Sequence, residues 1–213
     1  MPASLHKEDL LDWMDALQKV YAEYRQHLTE LDAAIGDADH GTNMDRGFTA
    51  VKTELAANVP ADIRALLQSV ATVLIRTVGG AAGPLYGTFF LRAATACTGK
   101  TELGPADLVA LFQAGVEGVR QRGKAEQGDK TMLDALLPAL AAMQKHQSEG
   151  RDLTTILESA SAAAEAGMLA TVPMQARKGR ASYLGPRSIG HQDPGATSSY
   201  LLIKAAAATW RDT

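Results

Sequence analysis

Apolar residues recur at intervals of three and four along most of this 213-residue chain, the pattern of helices that bury one face. The first stripe is continuous from Leu10 to Leu31 and predicts one long helix. Seven further stripes predict helices, and no segment alternates like a strand; they begin near Phe48, Ile63, Pro84, Leu108, Met132, Leu153 and Gly195. Because the connections are short, we expect an all-α fold, an eight-helix antiparallel up-and-down bundle or closed barrel.

The segment from Pro84 to Cys97 is apolar nearly all round, so it is expected to be the most buried helix. No linker, repeat of fixed period or change in composition divides the chain, and residues 1–213 are predicted to form a single domain. Cys97 lies among alanines, which indicates a small core residue rather than a nucleophile.

Residues 172–194, here called the lid segment, interrupt the helical pattern and contain three prolines. Long irregular segments in compact domains are usually functional or disordered, and the apolar residues within this one favour a binding loop or lid. Four cationic residues precede its first acid, Asp193: Arg177, Lys178, Arg180 and Arg187. Arginine suits phosphate recognition, although a solvated basic loop would have the same composition. Asp193 is predicted to be an N-cap, with Pro194 in the first turn of the last helix.

Composition and charge exclude several function classes. The chain has 46% hydrophobic and 21% charged residues, which is typical of a globular protein, and its net charge of −3 does not favour nucleic-acid binding. The N-terminal residues lack the apolar core of a signal peptide, and no apolar run approaches the roughly 18 residues that cross a bilayer. A cytoplasmic protein without a nucleic-acid or membrane partner is therefore expected.

Three carboxylates, those of Asp32, Asp37 and Asp39, fall within eight positions at the expected end of the first helix. Like charges this close disfavour one another's ionised form unless a cation neutralises them. Mg²⁺ is commonly held by a few carboxylates together with substrate phosphates, so the cluster predicts a magnesium–phosphate site. A solvated acidic turn is the alternative. An EF-hand is excluded, because Thr42 and Phe48 would occupy the positions of its glycine and its bidentate glutamate.

Two further motifs could bind phosphate through backbone N–H groups at a helix N-terminus. One is the glycine-rich connection Gly79-Gly-Ala-Ala-Gly-Pro-Leu-Tyr-Gly87. The other is Gly-Asp-Lys-Thr-Met, where Asp129 is expected to be an N-cap and Lys130 to begin a helix. A simple turn and a simple capped helix are the alternatives. Three aspartates and a nucleoside triphosphate of charge about −4 would repel each other around one Mg²⁺, so two ions are expected.

Taken together, these motifs resemble the L-type nucleotide-binding module of dihydroxyacetone kinases, in order and over the whole chain. The matching segments are Asp-Ala-Ala-Ile-Gly-Asp-Ala-Asp-His-Gly-Thr-Asn, Gly-Gly-Ala-Ala-Gly-Pro-Leu-Tyr-Gly, Gly-Asp-Lys-Thr-Met and Gly-His-Gln-Asp-Pro-Gly. The resemblance implies an eight-helix barrel that binds ADP or ATP through two Mg²⁺ ions at one end.

The resemblance also implies roles for individual residues. The metal ligands would be Asp32, Asp37 and Asp39. Arg180 would act in catalysis and contact the nucleotide. The other nucleotide-binding residues would be His40, Gly41, Thr42, Asn43, Ala81, Ala82, Gly123, Thr131, Met132, Gln192, Asp193 and Pro194. Similar family members carry Ser where this chain has Ala82, so phosphate binding here would depend more on backbone amides, metal ions and Arg180.

Partners follow from what the chain lacks. The ketone in this family is bound covalently through a histidine of a K-type module, and no histidine here has a context that suggests that role. A free-standing L module resembles the phosphotransferase-dependent form, in which bound ADP is rephosphorylated by an M-type phosphocarrier subunit and then phosphorylates dihydroxyacetone on the K subunit. The alternatives are a subunit that uses exchangeable ATP, and a nucleotide-state sensor that binds a transcription regulator.

Overall fold

The computed structural model describes residues 4–210, and its regular structure is helical apart from one antiparallel bridge between Leu5 and Leu103. This confirms the predicted all-α class. The α-helices are α1 (Lys7–Glu23), α2 (Arg25–Ile35), α3 (His40–Ala57), α4 (Ile63–Thr77), α5 (Ala82–Ala96), α6 (Pro105–Gly123), α7 (Leu133–Ser148), α8 (Leu153–Ala170) and α9 (Pro194–Thr209). None of these helices combines the length and the apolar character needed to cross a membrane.

The first predicted helix is two helices, so the prediction of one continuous helix is wrong at Tyr24. This residue has φ −87° and ψ 4°, outside the α region, and separates α1 from α2. Its N–H still donates to Val20 O at 2.9 Å, and its carbonyl still accepts from Leu28 N at 2.9 Å. Because helical hydrogen bonding continues across the break, the apolar stripe also continues and carries no signal of it. The other predicted stripes each correspond to one helix.

Successive helices pack side by side around a common core. Contacts run from α1 to α3 and then in chain order to α9, which packs against α1; α2 adjoins α3 and α9. In the core, the ring of Trp13 lies 5.0 Å from that of Trp210 and 5.8 Å from that of Phe90. Cys97 is also buried there, as predicted.

The most buried helix is α9 and not α5, which corrects the expectation for the segment from Pro84 to Cys97. Twelve of the 16 residues of α9 are buried, against seven of the 15 in α5. Alanines and hydroxyl residues dominate α9. Small side chains let a helix approach its neighbours closely on several sides, whereas apolarity alone only permits burial.

The lid segment contains a 3-10 helix, Arg180–Ser188, interrupted at Gly185, where φ is 57°. Its final residue, Pro194, already belongs to α9. Ala176 and Ala181 are buried against Ile35 at the end of α2, while the side chain of Tyr183 is 88% exposed. The lid segment is therefore an ordered loop that packs across the C-terminal end of α2.

Asp193 is the predicted N-cap of α9: its Oδ2 accepts a hydrogen bond from Ala196 N at 2.7 Å. The carboxyl group is buried. Burial raises the pKa of Asp193 from its ordinary value of 3.8 to about 7, and the hydrogen bond from Ala196 opposes this shift. The residue that starts the most buried helix is thus a carboxyl group that titrates near neutral pH.

We expect Asp193 to make folding stability fall as pH rises from about 4 to about 7, because the folded carboxyl keeps its proton after the unfolded one has lost it. The slope from this group reaches at most about 1.4 kcal/mol per pH unit. Asp193→Asn keeps an N-cap acceptor but does not titrate. Chemical denaturation should show the variant gaining stability relative to the parent protein across this range, with a constant difference above pH about 7.

The matched control is Asp152→Asn. Asp152 is the N-cap of α8, accepts from Thr155 N, and has a lowered pKa because of that hydrogen bond. The contribution of Asp152 is lost only as pH falls through the lowered folded pKa, so the stability difference between this variant and the parent protein should stay constant between pH about 4 and about 7. If the stability difference from the parent protein depended on pH in the same way for both variants, the raised pKa of the buried Asp193 would be contradicted.

Candidate nucleotide and metal site

One cavity of about 430 Å³ lies where four interhelix connections meet, a volume within the usual range for small-molecule sites. It is bordered by the connections α2–α3, α4–α5, α6–α7 and α8–α9, so these alternate connections share one end of the fold. Thirteen of the residues predicted for the site line it: Asp32, Asp37, Asp39, His40, Asn43, Ala81, Ala82, Gly123, Thr131, Met132, Arg180, Asp193 and Pro194.

Three predicted residues, Gly41, Thr42 and Gln192, do not line the cavity. Gly41 is buried against α2, where a Cβ atom would lie 2.0 Å from Arg25 O, so its role is close helix packing. Thr42 is exposed on α3, and Gln192 donates to Thr197 Oγ1 at 2.8 Å. Nearness in sequence to lining residues does not bring these three residues into the lining of the cavity; for Thr42 the reason is that successive side chains of a helix point about 100° apart.

Asp32, Asp37 and Asp39 come together as the acidic cluster. Each offers a carboxylate oxygen, and the three oxygens lie within 4.8 Å of one another. Oδ2 of Asp32 also accepts from the N–H groups of Asp39, at 2.9 Å, and His40, at 3.1 Å. These amides begin α3, so the positive end of its dipole faces this carboxylate.

The backbone of the acidic cluster is shaped for close approach of carboxylates. At Gly36 a Cβ atom would lie 2.0 Å from Asp32 Oδ1, so only glycine leaves room for that carboxylate. Ala38, between the other two aspartates, has φ 61°. A left-handed alanine is strained, and such strain persists only where the surrounding structure imposes it.

Arg180 reaches the acidic cluster from the lid segment. Its Nη2 lies 3.1 Å from Asp37 Oδ2. The two residues are distant in sequence, so the cluster gains the neutralising cation that its own sequence neighbourhood lacks. The guanidinium group and the three carboxylates therefore face the same part of the cavity.

The glycine-rich connection supplies unbonded amides. Ala81 is the N-cap of α5, which begins at Ala82, so the first N–H groups of this helix have no partner within it. Both alanines line the cavity. Asn43 lines the same wall, and its Oδ1 accepts from Arg46 Nη2 at 2.6 Å. This wall presents donors to an anion without using a charged side chain.

The Gly-Asp-Lys-Thr-Met motif forms a turn and not the start of a helix, so the prediction of Asp129 as N-cap is wrong. Helix α7 begins at Leu133, and Asp134 in its first turn accepts from Gly128 N at 2.5 Å and Thr131 N at 2.7 Å. Asp129 Oδ2 accepts instead from Glu126 N. A capping residue in the first turn can bond backward to the preceding loop, which the sequence pattern does not distinguish from a forward cap.

Lys130 lies inside that turn with φ 62°, and its side chain is almost completely buried. Its Nζ donates to Ser188 O at 2.6 Å and to Met174 O at 3.1 Å. Burial lowers the pKa of Lys130, and the charge of Asp193 opposes this shift. Lysine is rarely buried unless paired, so this residue is unusual in the fold.

The other part of the cavity is apolar. Leu85, Val119, Met132 and Leu133 line it, beside Gly123 at the end of α6. Aromatic bases fit such surfaces, whereas phosphates prefer the amide and metal-ligand side. The cavity therefore has one polar and one apolar part.

His40 connects the cavity with the core. Its Nε2 lies 2.8 Å from Ser198 Oγ on α9, and Ser198 Oγ accepts from Tyr86 OH at 2.8 Å. Burial lowers the pKa of His40, and the charges of Asp32, Asp39 and Asp37 oppose this shift. The imidazole is consequently held in one orientation by α9.

Sequence reasoning missed several lining residues. The cations Arg122 and Lys130 line the cavity without having been predicted to, as do the apolar residues Leu85, Val119 and Leu133. Lys178, one of the four cationic residues noted in the lid segment, also lines it. Lys130 stood in a motif that we interpreted through its backbone. A lysine flanked by Gly-Asp and Thr carries no signal of burial, so only the tertiary structure identifies it.

The comparisons with known proteins agree with this geometry. Residues 34–208 match the family described as DAK2 domain. The chain is 45% identical to "PEP-dependent dihydroxyacetone kinase, ADP-binding subunit DhaL" of Escherichia coli (strain K12), over 96% of this chain and 97% of the relative. It is 39% identical to "PTS-dependent dihydroxyacetone kinase, ADP-binding subunit DhaL" of Lactococcus lactis, over 91% of this chain and 93% of the relative.

Longer proteins match through part of their length. The human "Triokinase/FMN cyclase" is 39% identical over 84% of this chain, which spans 31% of that protein. The crystal structure of the dihydroxyacetone kinase of C. freundii has a TM-score of 0.75 and 23% identity, covering 98% of this chain and 35% of the kinase. The same kinase in complex with AMP-PNP and Mg²⁺ has a TM-score of 0.74 and 24% identity over 96% of this chain and 34% of the kinase.

These structural matches show that the fold is shared, and the matched relatives extend over nearly the whole chain. The chain therefore belongs to the DAK2 domain family, together with the ADP-binding subunits of dihydroxyacetone kinases.

Proposed function

We propose that this protein is an L-type kinase subunit that carries an adenine nucleotide with Mg²⁺ and transfers phosphoryl groups to dihydroxyacetone on a separate K-type subunit. The main support is that carboxylate oxygens of Asp32, Asp37 and Asp39 lie within 4.8 Å of one another. They border a cavity that Arg180 also lines. The names of the bacterial relatives, ADP-binding subunits of dihydroxyacetone kinases, support this assignment. Residues 1–213 would act as one nucleotide-binding domain.

The acidic cluster would hold two Mg²⁺ ions. Its donors are carboxylate oxygens only, which suits a hard cation and not Zn²⁺ or copper. Three carboxylates and the phosphates of a nucleotide carry more negative charge than one divalent ion and Arg180 neutralise together. When bound, the ions neutralise the phosphate charge during transfer.

The two parts of the cavity orient the nucleotide. The apolar part, with Leu85, Val119 and Met132, would receive the base, beside Gly123 and Thr131. The polar part would receive the phosphates, where the first amides of α5 at Ala81 and Ala82 donate hydrogen bonds. His40, Asn43, Asp193 and Pro194 complete the wall.

Arg180 is the proposed catalytic residue. Its guanidinium group is the cation 3.1 Å from Asp37. Phosphoryl transfer spreads negative charge over the oxygens of the moving group, and a planar guanidinium group can stabilise that charge through two donors. The lid segment that carries Arg180 would also exclude water from the phosphates.

The partners follow from this assignment. A K-type subunit would hold the ketone, and an M-type phosphocarrier would rephosphorylate bound ADP. The words "PEP-dependent" and "PTS-dependent" in the relatives' names support a phosphocarrier as the donor. The second candidate is an L-type subunit that uses exchangeable ATP as the phosphoryl donor.

Native mass spectrometry of the desalted protein in Mg²⁺ distinguishes these two candidates. If ADP is a cofactor, the protein should retain it at a ratio of one per chain, because bound metal and the lid segment slow its escape. The alternative would be established by a nucleotide-free protein that turns over ATP when mixed with a K-type subunit.

Replacing Asp37 by Asn should weaken ADP binding in the presence of Mg²⁺ by at least about 100-fold, since even residues that only orient metal ligands cost 10- to 100-fold. Isothermal titration calorimetry with and without Mg²⁺ measures the effect. The exposed side chain of Asp37 predicts an unchanged helical circular dichroism spectrum.

Asp12→Asn is the control, because Asp12 is an exposed carboxylate on α1 that does not line the cavity. It makes the same change of charge and should bind ADP like the parent protein. Equal affinity of the two variants would mean that the acidic cluster is an ordinary acidic turn.

A further inference from the structure

The lid segment leaves and rejoins the helical fold through a narrow neck. At its base, Gly190 N donates to Val172 O at 2.8 Å, and Asp193 N donates to Thr171 Oγ1 at 3.0 Å. The outgoing and returning arms therefore lie side by side. Arg180 belongs to the part of the loop beyond this neck, so its position depends on how firmly the two arms are joined.

Lys130 lies between the two arms. Its ammonium group donates to Met174 O, on the outgoing arm, and to Ser188 O, on the returning arm. Lys130 itself belongs to the α6–α7 connection, so these two bonds join three separate parts of the chain. Hydrogen bonds from a charged donor are about twice as strong as neutral ones.

Two features of Lys130 are energetically unfavourable. The side chain is 1% exposed, and the backbone has φ 62°, a conformation that a long side chain rarely adopts. Asp134 fixes the turn by accepting from Gly128 N and Thr131 N. Costs of this kind persist where the surrounding structure imposes them, and they are concentrated at functional sites.

Ser188 joins the same two arms without a charge. Its Oγ accepts from Ala176 N at 2.9 Å and donates to Gly185 O at 2.6 Å. Ser188 is fully buried and its carbonyl is the closer acceptor of Lys130. The two residues thus form one connected set of bonds between the arms.

We propose that Lys130 is a positioning residue, whose ammonium group ties the two arms of the lid segment together, holds Arg180 against the acidic cluster, and thereby slows the release of nucleotide. The last consequence rests on the proposed function, whereas the tie itself does not. Lys130 acts through Arg180 in this account and need not touch the nucleotide.

Hydrogen–deuterium exchange of the nucleotide-free protein tests the tie. Lys130→Met removes the charge and keeps the length of the side chain, and Ser188→Ala removes the hydroxyl group alone. Both should speed exchange in peptides that contain Ala176 or Gly190 and leave the core of α9 near Ile203 unchanged. Lys145→Met, which removes an exposed lysine of α7 outside the cavity, is the control and should match the parent protein.

Stopped-flow release of a fluorescent ADP analogue in Mg²⁺ tests the action through Arg180. Lys130→Met should release the analogue at least about tenfold faster than the parent protein, since it removes two charge-assisted bonds. In an Arg180→Ala background, Lys130→Met should change the release rate by less than about twofold, because Arg180, the residue that Lys130 positions, is absent.

The outcomes separate the proposals. Unchanged exchange of the lid segment in Lys130→Met would overturn the tie, whatever Ser188→Ala shows, and an equal increase in release rate in both backgrounds would overturn the action through Arg180. A parent protein that does not bind the analogue would overturn the proposed function, while the exchange measurement would still decide the tie. If circular dichroism shows that Lys130→Met is unfolded, Lys130→Gln, which removes the charge and shortens the side chain but keeps a polar end, decides both measurements, with the same expected directions.

Discussion

The site depends on the alternation of helix direction. Each helix has to place its apolar stripe in one shared core, and from α3 onward each helix packs beside the one before it and reverses its direction. Every second connection then lies at the same end of the fold. The four connections that border the cavity are such a set, although they are spread from Asp32 to Gly195. The chemistry of the protein is thus placed by packing and not by proximity in sequence.

Electrostatics within this end explain how three carboxylates remain together in the folded chain. Asp32 is bonded to the first amides of α3, and Asp37 lies beside Arg180. These contacts neutralise part of the charge and leave oxygen atoms facing the cavity. The carboxylates of the acidic cluster still repel one another, and this remaining repulsion favours the binding of a cation between them.

The sequence predicts the helices well, because burial of one face leaves a period of three to four residues that side-chain chemistry alone reveals. It also predicts the N-cap at Asp193, where Asp-Pro is a local signal. The break at Tyr24 leaves no signal, since hydrogen bonds and stripe continue across it. The carboxylate of Asp134, and not that of Asp129, accepts the amides of the Gly-Asp-Lys-Thr-Met turn, and only the tertiary structure distinguishes these two residues.

Site residues divide in the same way. The acidic cluster and the residues that line the cavity at the start of α5 are recognisable from local motifs and from the family resemblance. Lys130 is not, because its partners, Met174 and Ser188, become neighbours only after the lid segment folds back. Gly41 and Gln192 illustrate the converse: each lies within a recognisable motif, but Gly41 packs closely against α2, Gln192 bonds Thr197, and neither lines the cavity.

The four connections around the cavity all border it, so a molecule that fills the cavity touches all of them at once. Such a ligand acts as a non-covalent crosslink between the ends of eight helices. Because it binds only the folded chain, its free energy of binding adds to the free energy of unfolding, by about 2.7 kcal/mol at a hundredfold excess over Kd. With such a ligand, the stability of this protein would be a property of the chain and the ligand together, and it would vary with the supply of that ligand.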